Sequence, residues 1–191
     1  MFYNDSKLTS LYFEDYEGND TLVSRDENGK LVVTPVEKRN ETGNIVQLPV
    51  GHFATTVTSV GDYAFYNCSL SDGVVFTNYM INLGSYSFAY TKLTSVAITK
   101  NITIENLGSN VFDHCTKLKE ILFLNDALGD QMFIDCTGLV SVELPYGAKT
   151  IGAYAFKNCE SLENVSIPKS ITYIAEGAFA NCKKIQNIVL P

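Results

Sequence analysis

The chain has 191 residues and a formal net charge of −7, with its 14 basic residues scattered along the sequence. That distribution excludes the clustered basic face that nucleic acid or an anionic membrane surface requires. Apolar residues make up 46% and charged residues only 18%, so the chain can fill a core and is not of the disordered class.

No apolar run approaches the ~20 residues that span a bilayer, so no membrane insertion is expected from this segment. The first residues have neither the charged n-region nor the apolar h-region of a signal peptide. Either the protein is cytosolic, or this is the mature or trimmed part of a longer one. In chain order, Phe2, Asn4, Leu8, Leu11 and Phe13 form a partial repeat over residues 1–13. Residues 14–56 break the pattern and read as a β-hairpin insertion lying against the solenoid. Two β-rich runs, TLVS and KLVVT, flank Asn28-Gly29, a strong hairpin signal. The charged stretch from Glu37 to Glu41 reads as a solvated loop, and NIVQLP, residues 44–49, as a strand feeding the first full repeat.

Six repeats fill residues 57–191. Phe65, Phe88, Phe112, Phe133, Phe156 and Phe179 mark them at spacings of 23, 24, 21, 23 and 23 residues. Five residues before each Phe stands an aliphatic, followed by Gly in five copies and by Ala175 in the sixth. Three residues after it stands Cys68, Thr91, Cys115, Cys136, Cys159 or Cys182. A Leu-x-x-Val-x-Ile pattern completes each copy, one residue short in the second and displaced at Leu70 in the first. A period in this range is the signature of a solenoid, whose units are stable only when stacked. The Val-x-Ile alternation predicts one short strand per repeat, building a parallel sheet. The Gly predicts either positive φ or close packing on the next coil. The Phe–Cys piece is too short for a full helix and predicts a 3₁₀ or single helical turn, its Phe and Cys pointing inward. Solenoids need caps, and the sequence closes on a repeat boundary at Pro191. The expectation is an excised segment, or ends covered by another domain or subunit.

The pattern IG-x-x-AF-x-N-C-x-x-L-x-x-V-x-IP resembles the BspA-type leucine-rich repeat. Gly152, Ala155, Phe156, Asn158, Cys159, Leu162, Val165, Ile167 and Pro168 carry the resemblance. The stretch from Phe88 to Ile98 looks like the Thr variant of that repeat, and the hairpin insertion is similar to one in the same family. The resemblance implies an α/β-type leucine-rich-repeat solenoid, a horseshoe dominated by parallel strands with short outer turns. It also implies a surface or secreted protein of gut or oral bacteria or mucosal protozoa, active in adhesion or protein binding. Such repeats are a scaffold, so the role lies in surface residues.

Catalytic and metal chemistry find little support in the sequence. All five Cys share one template position and read as small buried hydrophobes, with no zinc-ligand spacing and no expected disulfide framework. His114 takes the template's Asn slot and reads as structural, and His52 has no evident partner. No calcium loop or phosphate-binding loop is legible, and no cofactor is expected. Glu120 and Glu143 fall on adjacent strands, where they read as a solvated pair. What remains is the outward lane of the sheet: Tyr12, Val75, Ala97, Leu122, Glu143, Ser166 and Val189, with Glu120 beside it. The lane is either a protein-binding face or ordinary sheet surface. The leading expectation is a non-catalytic module holding a protein or glycan ligand, with host extracellular proteins among the candidates. The alternatives are a structural spacer in a larger surface protein and an intracellular interaction scaffold.

Overall fold

A computed structural model gives the fold. It describes residues 57–71, 73–76, 79–98, 100–186 and 188, and the strand residues 21–25, 31–35 and 50–52. In chain order the strands are β1 (Thr21–Arg25), β2 (Leu31–Pro35), β3 (Val50–His52), β4 (Ser59–Val60), β5 (Gly73–Val75) and β6 (Asn82–Leu83). Then follow β7 (Ser95–Ile98), β8 (Glu120–Phe123), β9 (Ser141–Glu143), β10 (Thr150–Ile151), β11 (Asn164–Ser166) and β12 (Tyr173–Ile174). β1 and β2 pair antiparallel from Thr21↔Pro35 to Arg25↔Leu31. Asn28-Gly29 and residues 1–13 lie outside the described residues.

The rest is a β-solenoid whose coils are joined by three parallel ladders. The first is the predicted sheet, ordered β3-β5-β7-β8, with β9 and β11 forming a separate pair. Its register is the template's: Val74 lies opposite Val96, Val96 opposite Ile121, and Val142 opposite Val165. One rung was not foreseen. Val50, Gly51 and His52 pair in parallel with Gly73, Val74 and Val75, one 23-residue period later. The end of the supposed 14–56 insertion therefore belongs to the sheet. The strand expected over residues 44–49 lies outside the described residues. The upstream sequence carries no Phe–Cys turn, so only the rung betrays the repeat.

The second ladder is absent from the sequence reading. In four of the six copies the aliphatic five residues before the Phe, with the residue preceding it, forms a two-residue strand. β4 pairs with β6, Leu83 bridges to Leu107, and β10 pairs with β12. Two residues are too few for an alternation to show in a sequence.

The third ladder runs along the outer turns, and here the helical expectation is corrected. Residues 62–67, 85–90, 109–114, 130–135, 153–158 and 176–181 are hydrogen-bonded turns. Their N–H groups alternate in direction. Tyr63, Phe65 and Asn67 donate to the carbonyls of Ser85, Ser87 and Ala89 in the next coil, at 2.8–2.9 Å. Ala64, Tyr66 and Cys68 donate three residues back within their own turn. A 3₁₀ helix would send every donor inward to its own chain. The alternation is possible because two residues per turn adopt positive φ: Tyr63 and Asn67, Tyr86 and Tyr90, Asn110 and His114, Gln131 and Asp135, Tyr154 and Asn158, Gly177 and Asn181. Asn tolerates this left-handed region better than most residues, which explains the template's Asn two positions after the Phe. The 3₁₀ helix among the described residues is elsewhere, at Ile104–Asn106 in the long second repeat.

The template glycines are now explained by packing. Of the described glycines only Gly177 has positive φ. A Cβ on Gly84 would sit 2.4 Å from the Asp62 backbone nitrogen, and one on Gly152 would sit 2.6 Å from the Gly129 carbonyl carbon. Gly84, Gly108 and Gly152 let the backbone of their coil rest on that of the coil before it.

Inside, the Phe side chains make one column. Phe65, Phe88, Phe112, Phe133, Phe156 and Phe179 stack ring on ring, with centroids 5.1–5.7 Å apart. Burying each ring stabilises by about 1.5–3 kcal/mol, and each aromatic pair adds about 0.5–1.5 kcal/mol. The cysteines make a second column and are free thiols. They do more than fill space. The S–H groups of Cys115, Cys136, Cys159 and Cys182 donate to the carbonyls of Phe88, Phe112, Phe133 and Phe156 at 3.1–3.3 Å. Thr91, in the Cys position of the second repeat, donates to its own coil's Phe88 carbonyl at 2.8 Å.

Candidate functional site

Both strand ladders break at one place. No pairing joins β8 to β9, and the short-strand ladder likewise stops at Leu107 before resuming at β10. The cause is length. Ile121 and Leu128 are seven residues apart, whereas Val142 and Ile151, or Val165 and Ile174, are nine apart. A connection two residues short cannot carry the chain through both ladder positions in register. The turn ladder is untouched: Asn110, Phe112 and His114 donate to Asp130, Met132 and Ile134 at 2.9–3.3 Å.

The break opens a cleft of about 660 Å³ between residues 120–126 and residues 141–147. Leu122, Leu124, Pro145 and Tyr146 give it an apolar wall, and Glu120, Asp126 and Glu143 an acidic one. It also reaches Ile121, Phe123 and Leu144, whose template positions face the core. Ile121 and Phe123 are accordingly half-buried, while Val96 and Ile98 of the neighbouring rung are fully buried. Tyr146 is 82% exposed at the rim and also lines a second hollow with Val165, Ser166 and Lys169. At the floor, Asn125 donates to the Ile102 carbonyl at 2.9 Å. Its carboxamide oxygen is buried and accepts no hydrogen bond from the described residues.

The predicted lane is only partly assembled here. Glu120, Leu122 and Glu143 line the cleft, and Ser166 lies in the adjoining hollow. Ala97 does not present a surface: it is 1% exposed, and both faces of β7 are buried. Alternation along a strand names the outward residue but not whether that side is open to solvent. Glu120 and Glu143 both line the cleft, on strands that do not pair. Tyr12, Val189 and the side chain of Val75 lie outside the described residues. Sequence reasoning missed Tyr146 and Asn125, which sit in connections outside the repeat template. The 21-residue spacing of the third repeat was the signal that marked their position.

A second polar group lies on the opposite edge. Asp113, 7% exposed, accepts from His114 Nδ1 and from Asn110 Nδ2 at 3.2 Å. Burial raises the Asp113 pKa above the usual carboxylate value, against the lowering effect of the His114 and Asn110 hydrogen bonds. His114 stacks on Tyr90 with centroids 4.4 Å apart, and its Nε2 lies 3.8 Å from Asp135 Oδ2. The thiols offer no nucleophile: burial pushes Cys115 up to about 12 and Cys182 to about 11.

The sequence matches the BspA type Leucine rich repeat region in six copies, over residues 44–128 and 125–191. No curated protein matches it. Among solved structures it is similar to a leucine-rich repeat protein from Bacteroides ovatus, at 22% identity and a TM-score of 0.55, covering 72% of this chain and 45% of that one. It is similar to the Treponema pallidum leucine rich repeat protein at 25% identity and a TM-score of 0.50, covering 72% and 56%. It is also similar to a leucine rich cell surface protein from Faecalibacterium prausnitzii at 21% identity and a TM-score of 0.57, covering 86% and 45%. The chain spans about half the length of these structures. Among its described residues no helix is long and apolar enough to cross a membrane. With the family matched over well more than half its length, this chain belongs to the BspA-type leucine-rich repeat family.

Proposed function

We propose that the chain is a non-catalytic protein-binding module of a surface or secreted leucine-rich repeat protein, and that it takes its partner in the cleft between β8 and β9. One observation carries the reading: the cleft sets the exposed apolar side chains of Leu124 and Tyr146 beside the carboxylates of Glu120, Asp126 and Glu143, an apolar surface with a polar rim of the kind that takes a protein partner. Tyr146 at the rim is the kind of exposed aromatic that anchors an interface. The surface assignment rests on the family and on the cell surface protein among the similar structures.

Selection of a random peptide library on immobilised protein tests the cleft, with a glycan array run beside it. Peptides enriched on the wild type should lose binding at least about tenfold on Leu122→Arg and on Tyr146→Ala, as expected for removal of an anchor. Lys157→Ala, on the turn edge, should leave them unchanged. Binding indifferent to both cleft variants sinks the cleft reading. Hits confined to the glycan array replace the protein partner with a sugar.

A further inference from the structure

The repeats provide their own control for the turn edge. Two positions after the Phe the template holds Asn67, Tyr90, His114, Asp135, Asn158 and Asn181, and one position after it Tyr66, Ala89, Asp113, Ile134, Lys157 and Ala180. In the last copies the Asn side chains form a plain ladder, Asn181 Nδ2 donating to Asn158 Oδ1 at 2.9 Å. Only at the third and fourth copies are these slots taken by an imidazole and two carboxylates. Asp113, His114 and Asp135 each bring one donor atom within 4.8 Å of the others. In a tetrahedral site with metal–ligand bonds of about 2.0–2.2 Å, ligand atoms stand about 3.3 Å apart, so the donor atoms must draw in by up to about 1.5 Å as the side chains turn one imidazole nitrogen and the two carboxylates toward a common point.

We propose that Asp113, His114 and Asp135 bind one divalent transition-metal ion of the zinc class, clasping the third coil to the fourth where both strand ladders are broken. The surroundings fit a ligand set. Asn110 Nδ2 holds Asp113 Oδ2 at 3.2 Å, and Asn158 Nδ2 holds Asp135 Oδ1 at 2.8 Å, so each carboxylate is oriented from outside the trio. The Tyr90 ring, stacked 7° from parallel, fixes the plane of the imidazole. This is the supporting shell that orients metal ligands. The Asp113 carboxylate is buried, and among the described residues neither carboxylate meets a lysine or arginine. A buried carboxylate is stable when a cation offsets its charge, and a bound metal ion supplies one. An imidazole with carboxylate oxygens is a zinc-type donor set, whereas magnesium and calcium prefer oxygen alone.

The test uses tag-free protein stripped with chelator, titrated with Zn2+ by calorimetry and with Co2+ by visible absorption. One equivalent of Zn2+ should bind, Co2+ should give ligand-field bands of an ordered site, and Zn2+ should raise the unfolding midpoint. His114→Asn restores the template residue, which accepts positive φ, so it should fold in chelator like the wild type and lose stoichiometric binding. Asp135→Asn should do the same. Asn158→Ala, outside the trio, should weaken affinity by about 10-fold or more. His52→Asn should change nothing. Stripped wild type that takes up no Zn2+, or a His114→Asn variant that binds as tightly as the wild type, overturns the proposal.

Discussion

The turn edge and the strand face run through the same coils, yet a two-residue shortening interrupts one and not the other. On the turn edge each coil donates alternate N–H groups to the next, beside a column of Phe rings and a column of thiols. That register depends only on the few residues around each Phe, whose spacing to the preceding aliphatic never changes. The strand face depends on the connection between the strand and the next aliphatic, and that is where repeat length varies most. The long second repeat stores its extra residues as a 3₁₀ turn, and the short third repeat opens the cleft. A solenoid can therefore open a cleft without losing its stack, provided one edge stays continuous.

The sharpest way to break this comparison is to truncate one side chain on each side of it. Phe133→Ala removes a fully buried ring from the unbroken column and should cost about 3–5 kcal/mol in denaturant unfolding. Leu122→Ala, on the wall of the cleft, should cost well under half of that, because the side chain is already partly exposed. Equal losses would mean that the strand face holds the coils together as firmly as the turn edge.

A smaller effect is expected where coil meets coil. Gly152→Ala forces a methyl against the Gly129 backbone and should cost about 1–3 kcal/mol. Gly61→Ala meets nothing within 4 Å and should be within about 0.5 kcal/mol of neutral. If the two variants unfold at the same midpoint, close stacking is not why the template uses glycine.

The smallest predicted signal is a pH dependence of the thiol column. Burial raises Cys115 from 9.0 to about 12, so the folded state holds this proton more tightly than the unfolded chain does. The stability linked to it is complete below about pH 9 and is lost as pH rises toward about 12. Alkaline titration of the unfolding midpoint should show that decline, and replacing Cys115 with Thr, as at Thr91, should lessen it, leaving the part due to the other buried thiols Cys136 and Cys159. In native protein at mildly alkaline pH, an alkylating reagent should reach the half-buried Cys182 before Cys115, Cys136 or Cys159. Uniform labelling would mean the column opens as readily as the chain end.

Much of the solenoid was legible because a repeat states its rule several times. The Phe and Cys positions, the inward Val and Ile, and the parallel register follow from period and alternation alone. Even so, the lane of outward residues was legible only as a direction. Ala97 points outward and is buried, while Leu122 points outward and lines a cleft, and the two differ only in what lies opposite. The turn was read as helical because local sequence names a short turn without giving the partner of each N–H. The partners sit one coil away, 22 residues on from Tyr63, and that is a tertiary fact.

The sequence by itself determined the period, the buried columns and the glycine positions, since each is a local requirement repeated in every copy. The tertiary structure decided where the ladders break, which face is open, and that His114 meets both Asp113 and Asp135. Those depend on the summed length of each coil and on stacking across coils, where residues some 20 positions apart become neighbours and no local pattern records the meeting.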